Sequence, residues 1–415
     1  MSTDPAAAAG QSAGSDGQST GSPREVLAAF TKLGLSSFGG PIAHLGYFRN
    51  EFVTRRRWLD EAAYADLVAL CQFLPGPASS QTGFALGLMR GGLLGGLAAW
   101  IGFTLPSAVL LLLFAYGARA FGGAAGGALL HGLKLVAVAI VAQAVWGMAR
   151  SLCPDRERAT IAVAAVVLIT VAGGAGGQIA AILIGGLAGL WLCREMPPAI
   201  VGQLPPIPLS RRTGFLLLTA FAALLVLPAL LLRGGLSSQA LALFEAFYRS
   251  GALVFGGGHV VLPLLREAVV GPGWLDDGTF LAGYGAAQAV PGPLFTFSAY
   301  LGAVMNPSPN GIAGAALALV AIFLPGLLLV AGALPFWDRF RRHALAQAAM
   351  RGSNAAVVGV LGAALYDPVW TSAVLRPADF ALAAGGFVLL TVWRAPPLLV
   401  VASCALGAMA FARYL

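Results

Sequence analysis

Two hexapeptides of the pattern Gln-x-x-Pro-Gly-Pro are the places in this chain where chemistry could be done. They are Gln72-Phe73-Leu74-Pro75-Gly76-Pro77 and Gln288-Ala289-Val290-Pro291-Gly292-Pro293. Each follows another break in an apolar run, Phe38-Gly39-Gly40-Pro41 in the first case and Phe255-Gly256-Gly257-Gly258 in the second. Proline removes a backbone donor and clashes with the preceding turn, and glycine weakens a helix. A helix restarting after such a break offers free N–H groups and the positive end of its dipole, which together favour an anion. After Pro77 the restart reads Ala78-Ser79-Ser80-Gln81-Thr82, adding hydroxyl and amide donors, whereas Leu294-Phe295-Thr296-Phe297-Ser298 is less polar. The first half is therefore expected to contribute more to an anionic substrate.

Other polar residues sit at matched places. Lys32 and Arg249 stand one to two turns before the glycine breaks. A cation inside an apolar segment is costly and usually functional; the alternative is that each snorkels to a surface or pairs with Glu25 or Glu245. His44 and His259 follow the breaks closely and are candidate ligands, with a plainer reading as packed polar residues. His131 and Lys134 match Arg351, Ser353 and Asn354 in depth, so the five either line one cavity or hydrogen-bond between helices. Glu51 and Glu267 recur and are the candidates for carrying a coupling proton. Asp60 and Asp276 read as helix N-caps. Cys71, Cys153, Cys193 and Cys404 are scattered, without metal-ligand spacing, and read as small hydrophobes. No metal, no cofactor and no enzymatic constellation is expected.

The elements that must position these residues follow from composition. Of 415 residues, 58% are hydrophobic and only 10% charged, whereas a soluble domain carries roughly 25% charge. The chain cannot cover itself with a solvated surface, so the fold class is an all-α polytopic membrane protein. The net charge of +8 then reads as basic cytoplasmic loops rather than as a nucleic-acid footprint. Spanning helices are expected near 94–118, 125–149, 158–174, 176–193, 213–232, 311–335, 344–366, 378–393 and 396–412. Residues 24–56, 59–92, 240–271 and 276–305 instead read as broken pairs of half-length helices, re-entrant rather than spanning.

The two halves are a repeat. At an offset of 217, Phe38-Gly39-Gly40 matches Phe255-Gly256-Gly257; at 216, Trp58-Leu59-Asp60 matches Trp274-Leu275-Asp276 and the hexapeptides coincide; at 219, Phe103-Thr104-Leu105-Pro106 lies over Ile322-Phe323-Leu324-Pro325. Arg55-Arg56-Arg57 has no basic counterpart after Glu267, while Arg339, Arg341 and Arg342 correspond to a loop holding only Arg119. If Arg-rich loops are cytoplasmic, the repeats are inverted, an architecture of secondary transporters with discontinuous helices near the midplane. The expected organisation is a disordered tail over 1–23, a first repeat over 24–194, a linker with one connecting helix over 195–239, and a second, inverted repeat over 240–415.

With these residues in view, the sequence resembles the chromate ion transporter family in its long, two-domain form. The resemblance is carried by Phe38 through Arg49, by Val254-Phe255-Gly256-Gly257-Gly258-His259 and by both Gln-x-x-Pro-Gly-Pro stretches. It implies export of chromate from a bacterial cytoplasm across the inner membrane, chemiosmotically driven and giving chromate resistance, with sulfate as the look-alike oxyanion. The partners implied are a small oxyanion and the lipid bilayer, with no nucleic acid. Two fused halves can complete one site, so a monomer suffices and a homodimer stays open. Nothing in the spacing separates chromate from sulfate.

Overall fold

The computed structural model describes residues 21–38, 40–120, 124–172, 174–194, 207–254, 260–337 and 343–414. Gly39, Gly256, Gly257, His259, the Arg339–Arg342 loop and most of the N-terminal tail lie outside the described residues. The described chain is helical, with no strand.

The first broken pair is α1 (Pro23–Ser36) and α2 (Gly40–Phe48), the latter running on through a π-helical turn, Arg49–Arg55. Ser22 caps α1 by accepting from the Glu25 N–H. The second pair is α3 (Glu61–Phe73), capped by Asp60, and α4 (Ala78–Ala120). The cap holds as expected: the Ala63 N–H donates to Asp60 Oδ1 at 2.8 Å. At Gly91 and Gly92 the backbone of α4 leaves helical geometry, so a half-length helix hinges there into a full-length one.

The second repeat has the same parts. They are α9 (Gln239–Ala252), α10 (Val261–Val269), α11 (Asp277–Ala287), α12 (Phe297–Val304) and α13 (Gly311–Ala333). α1 and α9, of 14 residues each, rise about 21 Å, short of the roughly 30 Å of hydrocarbon. The first repeat goes on with α5 (Ala124–Leu152), α6 (Arg156–Ala172) and α7 (Gly174–Leu192), and α8 (Arg211–Arg233) connects the repeats. The chain ends with α14 (Ala344–Ala364), α15 (Pro377–Thr391) and α16 (Pro397–Tyr414). Five stretches, Ala78–Gly117, His131–Leu152, Arg211–Arg233, Gly311–Phe336 and Ala344–Ala373, are long and apolar enough to cross a membrane. Their surfaces carry exposed apolar side chains, including Leu113, Trp146 and Phe215, as lipid contact requires.

Glycines repeat the packing along with the sequence. Gly34 of α1 lies against the backbone oxygens of Gly102 and Phe103, and its mate Gly251 lies against the Ile322 carbonyl. Gly87 and Gly95 face each other's backbone, as do Gly302 and Gly314. Beyond these, the halves exchange helices. α5 packs on α15 and α16 of the second repeat, and α14 packs on α6 and α7 of the first. Small residues permit both crossings: Gly132 meets the Ala405 backbone, and Gly185 and Gly189 meet Gly352. The repeats are units of sequence whose helices pack across the boundary between them.

Because Gly251 touches a neighbouring carbonyl, Gly251→Val should destabilise the fold by about 3 kcal/mol or more, the upper range for overpacking. Gly46, whose added Cβ would meet nothing within 4 Å, is the control. Thermal unfolding in detergent should separate Gly251→Val from Gly46→Val; equal midpoints would refute the crossing.

Candidate functional site

The two Pro-Gly-Pro tips are tied to the opposite repeats through two reciprocal hydrogen bonds. The Gly76 N–H donates to the Val254 carbonyl at 2.7 Å, and the Gly292 N–H donates to the Ser37 carbonyl at 2.9 Å. Gly76 and Gly292 are equivalent positions, as are Ser37 and Val254. Each Pro-Gly-Pro tip is thus bonded to the chain just before the other repeat's glycine break. Both tip glycines have positive φ, +125° and +97°, a region that L side chains rarely adopt.

Each tip also packs on the long helix of the opposite repeat, one residue past its internal proline. A Cβ on Gly76 would lie 3.1 Å from the Gly326 Cα, and one on Gly292 would lie 2.6 Å from Ser107 Oγ. Gly326 follows Pro325 in α13, and Ser107 follows Pro106 in α4. Gln81 fastens the first tip: its Nε2 donates to the Pro75 carbonyl at 2.9 Å and to the Gly326 carbonyl at 3.2 Å.

Polar side chains gather on the first-half side of this crossing. His44 is fully buried, with Nδ1 3.4 Å from Ser79 Oγ and its ring edge-on to Phe103 at 5.2 Å. Ser37, Ser79, Ser80, Gln81, Thr104 and Ser107 are buried with it. Ser37 Oγ, His44 Nε2, Ser80 Oγ, Thr104 Oγ1 and the acceptor Gln81 Oε1 have no hydrogen-bond partner among the described residues. An unpaired buried polar group costs roughly 1–3 kcal/mol, so such a group of donors marks a place built for a polar guest. The first turn of α4 adds N–H groups that lack intrahelical partners.

The second-half tip is drier. Thr296 Oγ1 donates to the Pro293 carbonyl at 2.7 Å and Ser298 Oγ to the Phe295 carbonyl at 2.8 Å, which commits both hydroxyls to their own turn. Pro291 and Pro293 are buried, and Gln288 caps α11 with a buried, unpartnered Nε2. Gln72 is exposed at the end of α3, while Pro75 and Pro77 flank the tip.

The structure does not bring the paired cations to this crossing. Lys32 is exposed on α1. Arg249 turns back to Glu245, Nε to Oε1 at 2.7 Å, the pairing that the sequence offered as its alternative reading. The charge of a bound anion would therefore be met by neutral donors and helix ends. His131, Lys134, Arg351 and Ser353 also part company. Arg351 donates to the Cys193 carbonyl and Ser353 to the Ile182 carbonyl, both interhelical, while His131 and Lys134 line a cavity with α11 and α12. Of the two readings the sequence left open, hydrogen bonding between helices is the one seen for Arg351 and Ser353, since α14 faces α7 and not that cavity.

Glu51 lies in the π-helical turn at the Arg-rich end. Arg55 and Arg56 hold it at 2.9 and 2.7 Å. Burial alone would raise its carboxyl, but hydrogen bonds and charge from Arg56 and Arg55 outweigh this and hold it below the usual carboxylate range. That favours the carboxylate at neutral pH, the reverse of what a proton carrier working there needs. Glu267, its mate, is half-buried on α10.

Ser37, Thr104, Ser107 and Gly326 escaped sequence reasoning. The matched Phe103-Thr104-Leu105-Pro106 and Ile322-Phe323-Leu324-Pro325 runs mark the right helices, but spacing alone does not say that each meets the opposite tip.

A depressed carboxyl stabilises the fold above its ordinary value near 4.5 and loses that contribution as pH falls through the folded value. Glu51→Gln should therefore lower the thermal midpoint at neutral pH, by about 1–2 kcal/mol of stability for charge-assisted bonds, with the gap closing in acid. A gap that widens on acidification would contradict this.

The chromate transporter family profile matches residues 24–190 and 241–409. A chromate transport protein of Pseudomonas aeruginosa is 31% identical over 392 residues, covering 89% of this chain and 87% of the relative. A probable chromate transport protein of Synechococcus elongatus is 28% identical, covering 82% and 83%. A chromate transport protein of Cupriavidus metallidurans is 25% identical, covering 94% and 93%. No solved structure matches the chain. Two matched segments, each holding two pairs of broken helices and one Pro-Gly-Pro tip of the crossing, place this multi-pass membrane protein in the chromate transporter family.

Proposed function

We propose that the protein is a secondary active exporter of chromate across a bacterial inner membrane, conferring chromate resistance, and that the oxyanion binds at the crossing of the two tips. The observation that carries this reading is the group of unpartnered buried donors at Ser37, His44, Ser80 and Thr104, set beside the first turn of α4. Neutral donors and a helix N-terminus suit a tetrahedral dianion. Sulfate has the same shape and charge, so it is the competitor to test. The chain carries no nucleotide-binding motif, which supports chemiosmotic driving. One chain holds both tips, which supports a functional monomer.

Sidedness follows from charge. Arg150, Arg156 and Arg158 gather where α5 gives way to α6, which supports a cytoplasmic location for that end. Arg55-Arg56-Arg57 supports the same side for the end of the first broken pair. The equivalent end of the second repeat, Asp276-Asp277, lies opposite on this reading, and the repeats are inverted.

Chromate uptake into everted vesicles tests the proposal, since uptake there reports export. Gly76→Ala puts a side chain on a φ of +125°, at a cost of about 1–3 kcal/mol, and it crowds Gln81. Transport should fall about tenfold or more with the amount of inserted protein unchanged. Ser80→Ala should raise the KM for chromate about fivefold, the loss of one hydrogen bond. The Lys32→Ala, Arg249→Ala pair should leave most transport intact. Full activity in Gly76→Ala and Ser80→Ala would remove the substrate from the crossing.

A further inference from the structure

A cavity of about 590 Å³ opens between the start of α5 and the second repeat. Its polar wall is His131 and Lys134 of α5, Asp276 and Thr279 at the start of α11, and Asn306 after α12. Two of these groups are already engaged. His131 Nε2 lies 2.8 Å from Asp379 Oδ1. Asp276 caps α11, accepting from the Thr279 N–H at 2.9 Å and from Thr279 Oγ1 at 2.6 Å. Lys134 is half-buried, and among the described residues no carboxylate lies within 4.0 Å of its ammonium. It is the cation of this wall left to meet a guest.

Glycines hold that ammonium at the mouth. Gly285 lets α11 close on the Leu133 backbone, next to Lys134. A Cβ on Gly278 would meet Lys134 Nζ at 2.8 Å and Asp276 Oδ1 at 2.9 Å. The missing side chain keeps the space between the two charges open.

The cavity lies toward the end of α5 opposite its basic one. Lys134 is separated from Arg150 by about 24 Å of helix at 1.5 Å per residue. If the basic end is cytoplasmic, the cavity is extracytoplasmic. The repeat mate of this wall is not assembled in the same way: α14, the mate of α5, packs on α6 and α7, and Asp66, the mate of Ala282 in the cavity wall, is buried and accepts from Trp337 Nε1 at 3.3 Å.

We propose that this cavity is the extracytoplasmic release station for the oxyanion, and that Lys134 is the cation that holds it there. The inference rests on the oxyanion reading above and adds a second, outer site to it. A single ammonium with Asp276 close by makes a shallow site, strong enough to draw the anion from the crossing and weak enough to let it go.

The full chain supplies the test. Gly127 lines the cavity, and an added Cβ there meets nothing within 4 Å. In a Cys153→Ala background, Gly127→Cys should react with a membrane-impermeant methanethiosulfonate in intact cells and not in everted vesicles. Chromate exchange is then measured with the concentration varied on each side in turn. Lys134→Gln should raise the extracytoplasmic KM about tenfold and the cytoplasmic KM less than about twofold, while Lys134→Arg stays near wild type on both sides. A merely structural lysine would shift both sides together. Labelling from the cytoplasmic side, labelling from neither side, or a symmetric or absent KM change in Lys134→Gln would overturn the release station alone. Wild-type vesicles that move no chromate would overturn the oxyanion reading and this proposal together.

Discussion

The fold depends on two backbone hydrogen bonds, Gly76 N–H to Val254 and Gly292 N–H to Ser37. A helix interrupted at membrane depth leaves donors and acceptors that lipid cannot satisfy. Here each interruption supplies what the other lacks, and it does so across the repeat boundary. Neither repeat could satisfy these groups from its own tips. The glycines at 76 and 292 are required twice over, by positive φ and by contact with the opposite long helix. The exchange of α5 and α14 between repeats extends the same dependence to the rest of the core.

Polarity is distributed unevenly over this symmetric frame. At the second tip, Thr296 and Ser298 spend their hydroxyls on their own turns, and aromatic rings such as Phe295, Phe297 and Phe323 fill the space around them. At the first tip, His44, Ser80 and Thr104 keep unpartnered polar atoms. Charge is kept to the edges. Glu25, Glu51, Arg55, Arg56 and Arg90 form one network at the Arg-rich end, with Arg56 and Arg90 over the Trp58 ring. On the oxyanion reading proposed above, such a division would hold a dianion with no lysine or arginine fixed beside it.

Much of this was legible in the chain before any coordinates. Hydropathy located the full-length helices to within a few residues, because lipid-facing segments must be apolar throughout. Pro-Gly-Pro located the tips, because few other residues end a helix so firmly, and Asp60 and Asp276 announced their caps. The site was legible only in part. Ser79 and Ser80 stand out because hydroxyls are rare in apolar runs. Ser37, Thr104 and Ser107 do not, since a hydroxyl in a membrane helix more often bonds to its own preceding turn. Lys32 and Arg249 attracted attention by their charge, yet one is exposed and the other pairs locally.

The sequence by itself determined the class of molecule, the duplication and the position of the two Pro-Gly-Pro breaks, because these follow from composition, periodicity and the chemistry of proline and glycine within one stretch of chain. Only the tertiary structure decided that each tip bonds to the opposite repeat, that α5 and α14 each pack on helices of the other repeat, and that Asp66 meets Trp337 while its mate Ala282 lines a cavity. Those facts rest on contacts between residues more than about one hundred and fifty positions apart. Local propensity is blind to such separations, and two similar repeats carry the same local signals whichever partner their helices choose.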